Sequence, residues 1–145
     1  MMKRALGLLA IGACCAAAVS PQPSQGDRFK ARLTPTPIET VTANAVTGKG
    51  SATAVLTGTT LTISGTFEGM QSPATIAQIH VGAKGVRGPA EFDLTVTKAT
   101  SGTIAGMLTL SRVQIDSLKR GWFYIQIHSE KVPDGNLWGW LLPER

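Results

Sequence analysis

From Phe29 onward the chain alternates apolar and polar residues with a period of two. Phe29, Ala31 and Leu33 alternate with Lys30 and Arg32; Leu61, Ile63, Gly65 and Phe67 with Thr62, Ser64, Thr66 and Glu68; Phe92, Leu94 and Val96 with Asp93, Thr95 and Thr97. In an extended chain this period puts the two sets on opposite faces, so each run is expected to form a half-buried strand. Ala52–Leu56, Ile76–Val81, Ile104–Leu110, Trp122–His128 and Leu137–Leu141 supply further strands. Turns are expected at Gly58-Thr59, Gly69-Met70, Gly82 to Pro89, Ser101-Gly102 and Pro133-Asp134-Gly135. The expectation is an all-β domain of about eight strands, two antiparallel sheets packed as a β-sandwich of immunoglobulin-like type.

One segment departs from this period. Ser111-Arg112-Val113-Gln114 has the form of a capping box, Ile115 and Leu118 fall on one helical face, and Gly121 can end the helix in a left-handed conformation. A short helix is therefore expected between two strands. Pro35 and Pro37 predict an extended, unpaired connection after the first strand.

The first residues have another character. Lys3 and Arg4 precede the apolar run Ala5–Ala13, then small residues and Pro21-Gln22-Pro23-Ser24-Gln25-Gly26. This is the layout of a secretory signal, and the run is too short for a permanent membrane span. Residues 1–20 are thus expected as the signal, 21–27 as a linker and 28–145 as the domain. Ile11-Gly12-Ala13-Cys14 resembles a bacterial lipobox, which would lipidate Cys14 and anchor the protein to a membrane; the alternative is ordinary cleavage near Ala16-Ala17-Ala18. Either route leads to a secreted or periplasmic location, the first to an outer-membrane lipoprotein.

Both cysteines, Cys14 and Cys15, lie in that segment, so the domain carries no disulfide and no thiolate ligand or nucleophile. About 120 residues remain, enough for one domain with its own core. The formal charge is +5; without Lys3 and Arg4 there are 12 basic and 9 acidic side chains, giving +3. Nucleic-acid binding would need basic residues gathered beside exposed aromatics. Only Arg28, Lys30 and Arg32 alternate along one run. They read as a solvated strand face or as a docking strip for a membrane surface or acidic glycan.

The two histidines occur in matching triplets, Gln78-Ile79-His80 and Gln126-Ile127-His128. On strands, each triplet puts its Gln and His on one face and its Ile on the other. If the strands neighbour each other, Gln78, His80, Gln126 and His128 form a hydrogen-bonded polar cluster, with the loop from Gly82 to Pro89 folded back over the His80 strand. Alternatively, His80 and His128 bind a metal. Copper and zinc favour three or four imidazole, thiolate or carboxylate ligands, and amides such as Gln78 and Gln126 are poor substitutes. Glu130, Asp134 and Met70 are the remaining candidates to complete such a site. Ser129 follows His128 directly, so on a strand the two point to opposite faces and make no nucleophile–base pair.

Trp138 and Trp140 share a face of the last expected strand, opposite Leu137 and Leu141. They serve either as packing or as an aromatic platform for a sugar or another protein.

Four stretches in order resemble the CHRD domain family, named for chordin and widespread in bacterial secreted proteins. They are Phe29–Leu33 with Pro37-Ile38-Glu39; Ala77–Gly82 leading through Gly85 to Gly88-Pro89; Leu110–Leu118; and Gly121–His128 with Pro133-Asp134-Gly135 and Leu137-Trp138-Gly139. The resemblance spans about residues 28 to 142. It implies a sandwich similar to that of Cu/Zn superoxide dismutases. Family members commonly carry His-Ile-His where this chain has Gln78-Ile79-His80, and a glutamate where it has Asn136. The expected function is a non-catalytic exported module, without cofactor, acting on a protein or envelope surface. The alternative is a copper- or zinc-binding or redox protein using His80 and His128.

Overall fold

The computed structural model describes residues 25–145; the signal segment and Cys14 lie outside them. The strands are β1 (Asp27–Pro35), β2 (Lys49–Thr57), β3 (Thr60–Glu68), β4 (Ala74–Val81), β5 (Ala90–Val96), β6 (Gly102–Thr109), β7 (Phe123–Ser129), β8 (Leu137–Trp140) and the two-residue β9 (Leu142–Pro143); helix α1 is Arg112–Lys119. The fold is all-β with one short helix, as the periodicity predicts.

All pairings are antiparallel, in the order β2-β3-β6-β5-β4-β7-β8-β1, and β1 also pairs with β2. The eight strands therefore close into a barrel, a closed form of the expected sandwich of two antiparallel sheets. Two strands make the closure. Residues 27–33 of β1 pair with β2, whereas Thr34 and Pro35 pair with Trp138 and Leu137 of β8. Likewise the start of β5 pairs with β4 and its end with β6. The result is a sandwich joined along both edges by strands that pass from one sheet to the other. Pairing also runs past the expected break at Pro35: the Thr36 N–H donates to the Asn136 carbonyl at 3.0 Å, taking up the bond a proline cannot make.

The alternation resolves into an interior and an exterior. Phe29, Leu33, Leu61, Ile63, Ile79, Ile104, Phe123, Ile125, Ile127 and Leu137 are fully buried inside, each contributing about 1.5–3 kcal/mol by leaving water. Helix α1 closes one end through Leu118. It begins with the expected capping box: Ser111 Oγ accepts from the Gln114 N–H, and Gln114 Oε1 accepts from the Ser111 N–H. It ends at Gly121, whose φ of 74° lies in the left-handed region that favours glycine. There the Gly121 N–H bonds Leu118 O and the Trp122 N–H bonds Ser117 O, the paired bonds of a Schellman terminus.

A covered aromatic and imidazole row on the outer face

Strand β7 lies between β4 and β8. In the β4–β7 ladder Gln78 faces Gln126, His80 faces Tyr124 and Ile76 faces His128; in the β7–β8 ladder Tyr124 faces Trp140 and Gln126 faces Trp138. With Ile79, Ile125, Ile127 and Leu137 inside the barrel, these partners all lie on its outer face. Both triplets and both tryptophans thus belong to one surface.

The rings form a continuous row. The centroids of His128 and His80 are 6.1 Å apart, those of His80 and Tyr124 5.1 Å, of Tyr124 and Trp140 4.7 Å, and of Trp140 and Trp138 4.7 Å. Most of the row is shielded from water: Tyr124 is fully buried, and His80 and Trp140 are 9% and 8% exposed. An outward sheet face becomes this dry only when loops cover it.

Two loops do so. In the loop from Gly82 to Pro89, the Gly88 N–H donates to Tyr124 Oη at 2.9 Å, and Tyr124 Oη donates to the Gly88 carbonyl at 3.2 Å. The same carbonyl faces His80 Nδ1 at 2.9 Å, and Trp140 Nε1 donates to the Gly82 carbonyl at 3.0 Å. Gly88 is needed for this approach, since a Cβ there would collide with the Val81 carbonyl. In the loop after β7, His128 Nδ1 meets the Pro133 carbonyl at 2.6 Å and Gln126 Nε2 donates to the Asp134 carbonyl at 2.8 Å. Arg87 joins the loops: it donates to the Asp134 carbonyl at 3.1 Å, and its guanidinium carbon lies 5.7 Å from the Trp138 ring centroid, within cation–π range.

The four triplet side chains thus lie together, but their hydrogen bonds run outward rather than to one another. Gln78 Nε2 donates to Asp93 on β5 at 2.9 Å, and the other three bond backbone carbonyls. For the histidines this decides the tautomer. A carbonyl only accepts, so each Nδ1 carries the proton, and in the neutral ring Nε2 bears a bare lone pair. Both Nε2 atoms are buried without a hydrogen-bond partner.

That donor set does not fit a tetrahedral zinc site, which takes four nitrogen, sulfur or oxygen ligands. Among the described residues no three His, Cys, Asp or Glu side chains gather to hold a metal, and the carboxamides of the glutamines are poor ligands for zinc. It does supply two imidazole lone pairs, each ring oriented by a carbonyl at its other nitrogen, as in metal-ligating histidines generally.

Beside the covered row lies a groove of about 250 Å³ lined by Arg32, Thr34, Lys84, Trp138, Gly139, Trp140 and Leu142. Arg28, Lys30 and Arg32 are all solvent-facing; Lys30 pairs with Glu144. Among the described residues Arg32 and Lys84 have no carboxylate partner. None of the described helices is long and apolar enough to cross a membrane.

The CHRD domain family model matches residues 29–141, nearly the whole described chain. The chain belongs to the CHRD domain family. Searches of curated proteins and of solved structures gave no match. The matched region of this CHRD protein includes every residue of the row and both covering loops.

Sequence reading singled out the histidines and tryptophans, and Asn136 as a departure from the family pattern, but passed over Tyr124 and Arg87. Tyr124 shares the outward phase of Gln126 and His128, a signal present in the alternation. Asn136 is fully buried; its Oδ1 accepts from Ser129 Oγ at 3.0 Å, and its Nδ2 donates to the Thr47 carbonyl at 2.7 Å. It ties the loop after β7 to the long β1–β2 connection, across a distance in sequence that local pattern does not reveal.

Proposed function

We propose that this CHRD protein is an exported, non-catalytic module that binds a protein or envelope surface through the groove at Trp138 and Trp140. The observation carrying this reading is the pairing of an aromatic floor with two uncompensated cations, Arg32 and Lys84. Aromatic rings offer apolar contact at low entropic cost, and unpaired basic side chains favour an anionic partner and speed encounter. The triplets support the same reading, because their imidazole Nδ1 atoms are engaged in holding the loops that shape this face. The test is co-sedimentation of the full chain with isolated bacterial envelopes, comparing wild type with Arg32→Glu/Lys84→Glu. Binding reduced at least about tenfold, and weakened by salt, is expected of an electrostatic groove; undiminished binding by the variant rejects it.

A second reading, metal binding at His80 and His128, is favoured by one observation: the two buried Nε2 lone pairs without partners.

A further inference from the structure

We infer that His80 and His128 form a two-coordinate site for a soft monovalent d10 cation, Cu(I), held between their Nε2 atoms. The inference rests on the metal-binding reading and narrows it to one ion and one coordination number.

Three observations point to this ion. The first is chemical: two Nε2 atoms are buried and unbonded on neighbouring rings, and a buried acceptor without a donor is unfavourable. The second is the fixed tautomer. The carbonyls of Gly88 and Pro133 hold both Nδ1 protons, at 2.9 and 2.6 Å, so the lone pairs are presented without any proton having to leave. The third is spacing. Two imidazoles that share one ion, each bound through nitrogen at about 2 Å, must be neighbouring rings. The observed separation is 6.1 Å, with 30° between the ring planes.

The ligand count selects among metals. Zn(II) needs four ligands and Cu(II) a tetragonal set, and the surrounding amides and carboxylates do not complete either. Cu(I), with a filled d shell and a low charge to neutralise, is stable with two nitrogen donors in an apolar, water-poor setting. Tyr124 stacked on His80 and the two covering loops provide that setting. The neutral imidazoles leave the site with the ion's single positive charge.

The experiment uses the full chain carrying Cys14→Ser and Cys15→Ser, so that no thiolate competes. Cu(I) is added without oxygen in competition with a chromophoric Cu(I) chelator, with Zn(II) and Cu(II) titrated in parallel. Imidazole nitrogen NMR reports the ligand atoms and X-ray absorption the coordination number. The expected result is one Cu(I) per chain, displacement of both Nε2 resonances, and a two-nitrogen shell. In His128→Gln affinity falls by more than about a hundredfold, beyond the usual loss when a residue that only orients a ligand is changed. One-to-one uptake of Zn(II) or Cu(II) that needs both histidines, without Cu(I) uptake, overturns the Cu(I) assignment and leaves the broader metal reading standing. No uptake of any ion, or uptake unchanged in His80→Gln and His128→Gln, overturns both and assigns the lone pairs to a bridging water. Circular dichroism checks that the variants fold; His128, half-buried where His80 is buried, provides the deciding variant if His80→Gln does not.

Discussion

The two Gln-Ile-His triplets have the same sequence and lie on adjacent strands, yet their surroundings differ. His80 is buried against Tyr124 and anchored to Gly88, in a loop held by several bonds at once. His128 is half-buried, ends the ring row, and bonds only the Pro133 carbonyl. The glutamines show the reverse: Gln126 is buried under the loop after β7, whereas Gln78 is half-buried and faces Asp93. Identical tripeptides acquire different duties because register decides what stands across from each residue, and loop contacts decide what lies above it.

The most damaging change should be Gly88→Ala. The new Cβ would collide with the Val81 carbonyl, displacing the loop from Tyr124 and His80 while leaving the His128 anchor in place. A loss of about 2–4 kcal/mol is expected in chemical denaturation, with perturbation of the His80 but not the His128 imidazole resonances. Next comes the contrast between the histidines themselves: His80→Ala should cost about 2 kcal/mol and His128→Ala about 1 kcal/mol or less, since only the first empties a buried position. Equal costs would mean that the depth of the two rings does not matter. For the glutamines the order should invert. Gln126→Ala should cost about 1–2 kcal/mol by leaving a buried carbonyl bond unmade, and Gln78→Ala about 0.5 kcal/mol.

The smallest effect on stability is expected from Gln78→His, and it sharpens the comparison most. Position 78 stands opposite Gln126, between the levels of the two histidines along the sheet, so a third imidazole there should raise copper affinity on the order of tenfold or more. No gain in a competition titration would show that side chains at this position do not converge with His80 and His128.

Much of the outer face was legible from the sequence. Alternation through Trp122–His128 and Leu137–Leu141 sets which side chains point outward, and it correctly opposes Trp138 and Trp140 to Leu137 and Leu141. The capping box at Ser111 and the left-handed Gly121 were local signals and are found in place. What alternation cannot carry is partnership. That Gln78 stands across from Gln126, or that β1 divides its pairing between β2 and β8, depends on residues far apart in the chain. The burial of the row depends on Gly88, Arg87 and Asp134, whose contacts arise only once both loops are in position.

The shared strand β1 has a consequence for how the barrel forms. Its N-terminal part can pair with β2 soon after both exist, but Thr34 and Pro35 must wait for Trp138 and Leu137, near the far end of the chain. The last seam is a contact between the extremes of the domain, and contacts so distant in sequence form slowly. Until it forms, β1 and β8 each present an unpaired edge open to other chains; the pairs Thr34–Trp138 and Pro35–Leu137 then join them. The interval before closure, rather than the finished barrel, is therefore when this protein is most exposed to aggregation.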